Sequence, residues 1–542
     1  MAVELNYWLA CNSLTSVMSP ENGGSMRSSK RRARSLTIVS VLMATALVLS
    51  GCAPNLDSSS GTVRTRFDAD PASFDPAQLV GGDDYYVSRL LFDTLMRYDD
   101  DGQIVGGLAE SWDFNALGGT IELAGGATCQ DGTVIDAQVV ADSLNRFASP
   151  DTKSGSKALT FGNGDVKVTA EGADTVSIKL SEPFSELDAG LTTVASGIVC
   201  PAGLGDLEGL KNGSVRGAFS GPYDMTKLST GVEYRLELRK EYDQWPSFIT
   251  EMDGRPPETL SFSVGNDVST NANEVLGGSL DLATISPTDT DRFPNVALVY
   301  IGEQFVVFNQ NETSPFKDEE LRRAVARTIS ADAYNQVTYA GKSEIELTVG
   351  DAGMQCANTD ESLIEDYDRE AVQSEGLLDG VRMTYSASNT FGPNGIGAEY
   401  IYQELSDAGA NVNYQLTDNS SWASLVLGPD APSWDITLYG SVNQTSTLWT
   451  NVSRILGTAI EDGGRSMTRA NNPEGERLAE QVMSADAPET KCEHYHALQE
   501  NFLDSVDVVP LTATARFYGA SDGVEFLAPN QRIDYTTIRI SD

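Results

Sequence analysis

The chain has 542 residues, 40% of them hydrophobic, which is enough for two or three packed domains. It carries 78 acidic and 37 basic side chains, so its formal net charge is −41 at pH 7. So negative a protein repels phosphate groups and anionic lipid headgroups, which argues against nucleic-acid binding, and most of the charge serves solubility.

The N-terminal segment has the layout of an export signal. Basic residues between Arg27 and Arg34 precede an apolar run over residues 36–49. As a helix this run would rise about 21 Å, which is too short for a hydrocarbon core of roughly 30 Å. We therefore predict a signal peptide over residues 1–51, with Met26 as an alternative start, and no permanent membrane span.

A cysteine follows at the end of this signal, in the sequence LSGC that closes on Cys52. The four residues resemble the lipobox of bacterial lipoproteins, whose cysteine is acylated and becomes the mature N-terminus. The resemblance implies that Cys52 is lipidated and that residues 52–61 link the protein to the extracytoplasmic face of the cell membrane. No later segment is long and apolar enough to cross a membrane.

Four further cysteines occur in the mature chain, at Cys129, Cys200, Cys356 and Cys492. An even number in an exported protein favours two disulfides, with three possible pairings, and free buried thiols are the alternative. We favour Cys129 with Cys200 and Cys356 with Cys492, because each pair then falls in one predicted part of the fold. The spacings match no zinc motif.

Hydrophobic patterns in the first half of the mature chain predict alternating strands and helices. In chain order these are a strand over 62–67, a helix from Asp83 through Leu95, a strand over 120–123 and a helix over 139–147. Asp-Gly pairs at 101–102 and 131–132 predict turns. A small β-α-β unit follows over 259–264, 271–276 and 281–285, and then a helix over 318–328, capped by Asp318.

The second half has a stronger β-α-β pattern. It predicts a strand over 381–385, a helix over 396–405, a strand over 412–416, a helix over 420–427 and a strand over 435–439. Such a region forms a mostly parallel sheet covered by helices. Ligands bind beyond the carboxyl ends of parallel strands, so the loops 386–395 and 440–447 are expected to face one site.

Six phrases, in order, resemble the family 5 extracellular solute-binding proteins, the oligopeptide, dipeptide and nickel receptors of ABC importers. They are DPASFDPA, LLFDTLMRYDDDGQIVGGLAESWDF, CQDGTVIDAQVVADSLNRF, GPYDMTKLSTGVEYRLELRKEYDQW, GGSLDLATISP and FVVFNQNETSPFKDEELRRAVARTISADAYNQV. The resemblance covers nearly the whole mature chain. It implies a monomer that captures a peptide-like or other small polar solute and delivers it to a permease and its ATPases.

The resemblance also implies a fold: the two-lobed α/β fold of class II periplasmic binding proteins, with a subdomain inserted in the first lobe. Its expected parts are a first lobe over 62–98, 200–302 and 506–542, an inserted subdomain over 99–199, and a second lobe over 303–505. A hinge would let the lobes close on the solute.

Aromatic and amide side chains suit such a cleft, because they supply stacking surface and a few directed hydrogen bonds. We select as ligand-binding candidates Tyr85, Tyr86, Asn389, Phe391, Trp422, Tyr439, Asn443, Gln444 and Trp449. In the peptide receptors an aspartate after the strand matching 435–439 pairs with the peptide's α-ammonium. The corresponding stretch 440–445 contains no acid, which puts recognition of a peptide N-terminus in doubt.

Catalytic and metal motifs are scarce. His494 and His496 are the only histidines, and their spacing of two places them on different faces of the predicted helix. No G-x-S-x-G or H-E-x-x-H pattern occurs, and the histidine supply is poor for nickel, so we expect neither an enzyme nor a cofactor or metal. A secreted hydrolase, and a signalling or chaperone-like lipoprotein with the same fold, are the alternatives.

Overall fold

The computed structural model describes residues 61–541, except 247, 249, 266, 295, 429–432, 463 and 530–532. The predicted signal peptide and the lipidated Cys52 lie outside these described residues. Within the described part of the chain, no helix combines the length and apolar character needed to cross a membrane.

The strands, in chain order, are β1 (Thr62–Phe67), β2 (Met96–Tyr98), β3 (Ile104–Gly106), β4 (Ala109–Asn115), β5 (Gly118–Leu123), β6 (Val166–Ala170), β7 (Thr175–Leu180), β8 (Tyr223–Ser229), β9 (Glu233–Leu238), β10 (Thr259–Val264), β11 (Leu282–Ile285), β12 (Val296–Phe308), β13 (Arg382–Ser388), β14 (Asn411–Thr417), β15 (Ile436–Gly440), β16 (Val508–Ala520), β17 (Val524–Glu525) and β18 (Arg539–Ile540).

The α-helices are α1 (Gly82–Leu91), α2 (Ala137–Ala148), α3 (Lys157–Phe161), α4 (Leu187–Gly190), α5 (Pro201–Leu204), α6 (Leu207–Lys211), α7 (Val268–Leu276), α8 (Glu319–Thr328), α9 (Ala331–Tyr339), α10 (Arg369–Glu375), α11 (Ile396–Asp407), α12 (Asn419–Val426), α13 (Trp449–Ile455), α14 (Pro473–Met483) and α15 (Pro488–Asp504).

The first lobe is built on a four-stranded sheet in the order β1-β10-β9-β8. Alternation in β1 turns Val63 and Phe67 into the core, where the Phe67 ring stacks on Phe262 at 4.1 Å between ring centroids. Helix α1 packs here too, but it ends at Leu91 and not at the predicted Leu95. It ends there because Phe92 has an extended backbone, with φ −133° and ψ 132°.

The inserted subdomain contains an antiparallel sheet in the order β4-β5-β7-β6, covered by α2. Both predicted elements are confirmed, since 120–123 lies in β5 and 139–147 lies in α2. Asp136 caps α2 by accepting hydrogen bonds from the backbone N–H groups of Gln138 and Val139. The turns at 101–102 and 131–132 are also present, each with its glycine at positive φ.

The second lobe has a six-stranded sheet in the order β11-β16-β12-β15-β13-β14. The predicted β-α-β unit is confirmed, because β13 pairs in parallel with both β14 and β15, while α11 and α12 connect them. The expectation of a mostly parallel sheet is wrong, because the other three of its five strand pairs are antiparallel. The predicted helix over 318–328 is also confirmed as α8, capped by Asp318.

The smaller predicted β-α-β unit is wrong as a unit. Its two strands form, but β10 lies in the first-lobe sheet and β11 in the six-stranded sheet. Both edges of β10 are occupied, by β1 and β9, so β11 pairs with β16 instead. Helix α7 therefore connects the two sheets, and it packs against β11 and β16 of the six-stranded sheet.

Two long strands, β12 and β16, run from the core of one lobe into the core of the other. Val299 and Tyr518 pack in the first-lobe cluster, whereas Val306 and Leu511 pack in the second-lobe cluster. The pairing of β12 with β16 shifts register between Tyr300 and Glu303. This irregularity lies at the crossing between the lobes, where bent strands are tolerated.

The structure contains both disulfides that the sequence favours. Cys129 is joined to Cys200, and Cys356 is joined to Cys492. The first closes the base of the inserted subdomain, and both of its residues are buried. The second ties the segment after β12 to α15.

Candidate functional site

A cavity of about 220 Å³ lies between the lobes. One wall is α1 of the first lobe, which contributes Tyr85, Tyr86 and Arg89. The facing wall is the loop after β15, which contributes Asn443 and Gln444. Tyr85 and Arg89 are four residues apart in α1, so the helix presents them on one face.

The two walls are joined by hydrogen bonds. The Gln444 side chain donates from Nε2 to the Tyr85 hydroxyl, and its Oε1 accepts from the Ser156 hydroxyl of the inserted subdomain at 3.2 Å. The Tyr98 hydroxyl donates to the backbone carbonyl of Thr445 at 2.6 Å. The structure is therefore a closed form, in which the second lobe contacts both the first lobe and its subdomain.

Glu303, in β12, holds the loop after β15 in place through hydrogen bonds. Its fully buried carboxylate accepts hydrogen bonds from the Ser441 hydroxyl at 2.6 Å, from Asn443 Nδ2 at 3.2 Å, and from Asn451 Nδ2. The backbone N–H of Ser441 also donates to the Glu303 carbonyl at 2.8 Å. A carboxylate thus lies next to the acid-free loop, but it accepts hydrogen bonds from Ser441 and Asn443 of that loop and from Asn451 of α13.

The charged residues of the cavity are mostly arginines. Arg97 pairs with Asp534, and Arg516 pairs with Asp68 at 2.8 Å between Nη1 and Oδ2. Burial alone would lower the pKa of Arg97, but the charges of Asp534, Tyr242 and Asp93, with the hydrogen bond to Asp534, together outweigh burial and raise that pKa. Burial would raise the pKa of Asp534, but the charges of Arg97 and Arg89 and the hydrogen bonds from Thr536 together lower it.

Arg89 has a different environment. Its guanidinium donates to the Thr94 hydroxyl at 2.9 Å and to the Thr192 carbonyl at 2.7 Å. Burial, assisted by the nearby charge of Arg97, lowers the pKa of Arg89 to about 10. The cavity is therefore aromatic and amide-lined, with a guanidinium of lowered pKa at one side.

Of the predicted ligand-binding residues, the structure brings Tyr85, Tyr86, Asn443 and Gln444 together in this cavity. Trp449 lines a second cavity of about 640 Å³, between the inserted subdomain and the second lobe. Asn389 is exposed, on the loop after β13.

Three of the predicted ligand-binding residues lie outside the interlobe cavity. Phe391, Trp422 and Tyr439 are buried in hydrophobic clusters and do not line the interlobe cavity. Trp422 donates from Nε1 to the Thr437 hydroxyl at 3.0 Å, so even its polar atom is satisfied inside the lobe. The Phe391 ring packs against Gly440, where a Cβ would approach it to 2.7 Å. These aromatic side chains stabilise the second lobe.

The sequence prediction omitted the charged lining residues and the loop anchor. Arg89 could have been predicted from the sequence as a lining residue, because it follows the predicted Tyr85 by about one helical turn and lies on the same helix face. Glu303 carries none, since its contacts lie 138 or more residues away along the chain. His494 and His496 lie on α15, away from the cavity lining, and the described residues hold no group of three or more potential metal ligands.

Comparisons with known proteins agree with this architecture. Residues 103–460 match the model of the bacterial extracellular solute-binding proteins, family 5. A curated relative, the periplasmic murein peptide-binding protein MppA of Escherichia coli, is 22% identical over 481 residues, which cover 82% of this chain and 86% of MppA.

Solved structures show the same fold. A substrate-binding protein from Microbacterium hydrocarbonoxydans, complexed with 4-hydroxybenzoate hydrazide, is 36% identical with a TM-score of 0.79 and covers 89% of this chain and 100% of its own. A dipeptide-binding protein from Pseudoalteromonas sp., in complex with Met-Leu, is 17% identical with a TM-score of 0.74, covering 89% and 100%. The chain therefore belongs to family 5 of the bacterial extracellular solute-binding proteins, the solute-capturing components of ABC importers.

Proposed function

We propose that the protein captures its solute in the cavity between α1 and the loop after β15, and releases it to an ABC permease when the lobes open. The observation that carries this proposal is the hydrogen bond between Gln444 and Tyr85, which joins the two lobes directly across the cavity. Solute contacts made only in the closed form shift the protein toward closure. No catalytic step is part of the proposal.

The solute we propose is small. A volume of about 220 Å³ suits a dipeptide or a single substituted ring better than a long peptide. Two of the similar structures hold solutes of this kind, Met-Leu and 4-hydroxybenzoate hydrazide. Tyr85 and Tyr86 would stack against apolar parts of the solute, while Asn443 and Gln444 would bond its amide groups.

The protein would act as a monomer on the outer face of the cell membrane. Cys52 would carry the lipid, and residues 52–61 would space the lobes from the bilayer. The permease and ATPase subunits are the partners that the family membership suggests.

Two measurements test the function. Mass spectrometry of solute released from the purified protein should identify a small polar compound held without covalent attachment. A thermal-shift panel that includes Met-Leu and 4-hydroxybenzoate hydrazide should then raise the melting temperature for that chemical class. If no solute co-purifies and no compound changes the melting temperature, the transport function is wrong and a signalling or chaperone-like role is favoured.

A further inference from the structure

Arg465 lines the larger cavity, of about 640 Å³, together with Trp449 and Phe184. The Nε of Arg465 donates a hydrogen bond to the Ser453 hydroxyl at 3.1 Å. The Nη1 of Arg454 donates to the backbone carbonyl of Arg465 at 3.4 Å. Among the described residues, neither guanidinium has a carboxylate oxygen within 4 Å. Two partly buried positive charges therefore lie next to each other without a counter-charge.

Scarcity of acids does not explain this arrangement, because the chain has 78 acidic side chains against 37 basic ones. Four residues further on, Arg469 pairs with Glu461 at 2.7 Å between Nε and Oε1. Exposed glutamates at 182, 476 and 480 line the same cavity, but none lies within 4 Å of Arg465. Burial, followed by the charge of Arg454, lowers the pKa of Arg465 to about 9.

An uncompensated buried charge reduces stability, and an anion that binds beside it restores the balance. A guanidinium is planar and presents its donors as a fork, which matches the two oxygens of a carboxylate. Trp449, Phe184 and Leu456 supply apolar surface for the rest of such a ligand. Ala158 lines this cavity, and Ser156, two residues earlier in the chain, donates a hydrogen bond to Gln444 of the interlobe cavity, so the two cavities lie close together.

We propose that Arg465 binds a carboxylate group of the transported solute, in the cavity between the inserted subdomain and the second lobe. This inference rests on the proposed function, because it specifies the chemistry of the solute captured there. It assigns an acidic end to a solute whose aromatic or amide portion contacts Tyr85 and Gln444.

The test is a thermal-shift and calorimetric panel in which each carboxylate is paired with a neutral counterpart at fixed ionic strength. Suitable pairs are 4-hydroxybenzoate with its hydrazide, and the dipeptide Met-Glu with Met-Gln. The wild-type protein is compared with Arg465→Gln, Arg465→Lys and the control Arg469→Gln, which makes the same charge change at a paired arginine outside the cavity lining. The melting temperature of each variant without ligand reports whether it folds.

We expect at least one carboxylate to bind better than its neutral partner, with a loss of about tenfold to a hundredfold in Arg465→Gln. Arg465→Lys should keep part of the preference, and Arg469→Gln all of it. The proposal is overturned if no carboxylate is preferred by the wild type, or if the preference survives in Arg465→Gln. Binding of neutral compounds alone would overturn the carboxylate subsite and leave the transport function standing, whereas the absence of any ligand would count against both.

Discussion

The side chain of Gln444, in the second lobe, donates a hydrogen bond to the hydroxyl of Tyr85, in the first lobe. This is a direct side-chain contact between the lobes at the edge of the candidate site. Its energy contributes to the closed form alone, because the donor and acceptor separate when the lobes open. Removing it should therefore change the closing equilibrium more than the stability of either lobe.

Tyr85→Phe keeps the ring and removes the hydroxyl, so we expect solute affinity to fall by about threefold to tenfold, the usual worth of one neutral hydrogen bond. Titration calorimetry with the solute identified by mass spectrometry measures this. Tyr402→Phe is the matched control, because Tyr402 stacks on Tyr414 within the second lobe. Equal affinity for Tyr85→Phe and wild type would show that the contact does not support closure.

Glu303→Gln should loosen the loop after β15. The amide would place a donor where Ser441, Asn443 and Asn451 already donate to the buried carboxylate. We expect a loss of about 1–3 kcal/mol in the free energy of unfolding, measured by urea denaturation, and weaker solute binding. Glu312→Gln, at a side chain that is 96% exposed, should change neither. Unchanged stability in Glu303→Gln would contradict the anchoring role.

Asp93 makes part of the stability depend on pH. Burial raises the pKa of this carboxyl from 3.8 to about 6, although the charge of Arg97 opposes the shift. The folded protein therefore holds the proton more tightly than the unfolded chain. The resulting contribution, about 3 kcal/mol, is fully present below pH 3.8 and is lost as the pH rises through 6.

Asp93→Asn should remove this component. The wild type should lose unfolding free energy between pH 5 and pH 7.5, and Asp93→Asn should lose less of it over the same interval. Urea denaturation at each of these pH values measures the difference. Asp113→Asn, on the exposed strand β4, controls for the loss of one negative charge. Identical pH profiles for wild type and Asp93→Asn would rule out the assignment.

The two disulfides should differ in their resistance to reduction. Cys129 and Cys200 are at most 1% exposed, whereas Cys356 and Cys492 are partly accessible. A mild reductant followed by alkylation and mass spectrometry should label Cys356 and Cys492 first, under native conditions. The order would be reversed if the subdomain opened locally more readily than α15.

Loss of the buried disulfide should destabilise the protein. We expect Cys129→Ser combined with Cys200→Ser to cost about 2–5 kcal/mol in unfolding free energy, because the bond closes a segment of 71 residues. Thermal and urea unfolding measure this loss. An unchanged unfolding midpoint would indicate that the subdomain core alone holds the two segments together.

Local patterns predict much of this fold. The alternation in β1 and β13 and the helical spacing in α11 depend on neighbours in sequence, so they could be read directly. The sheet partners of β11 could not be predicted this way, because β16 lies more than two hundred residues further along the chain. Pairing between such distant strands depends on which sheet edges are already occupied.

The site was predicted less completely, for a related reason. Composition identifies aromatic and amide residues, but it does not distinguish Tyr85 in the cavity from Trp422 in the core. Burial decides between these roles, and it follows from tertiary packing. The arginines were missed because the role of a charged side chain depends on its neighbours in space. That Arg465 lies beside Arg454 without a nearby carboxylate becomes visible only in the folded structure.

The register shift in β12 has a mechanical consequence. Gly302 and Glu303 lie where this strand passes between the lobes, and a Cβ at Gly302 would approach the Ser441 carbonyl to 2.1 Å. If the lobes open by bending at this shift, the segment that bends is also the segment that fixes the loop after β15. A rotation of the lobes about this point would turn the loop as well. The contacts between the loop and the proposed solute would therefore change together with the angle between the lobes.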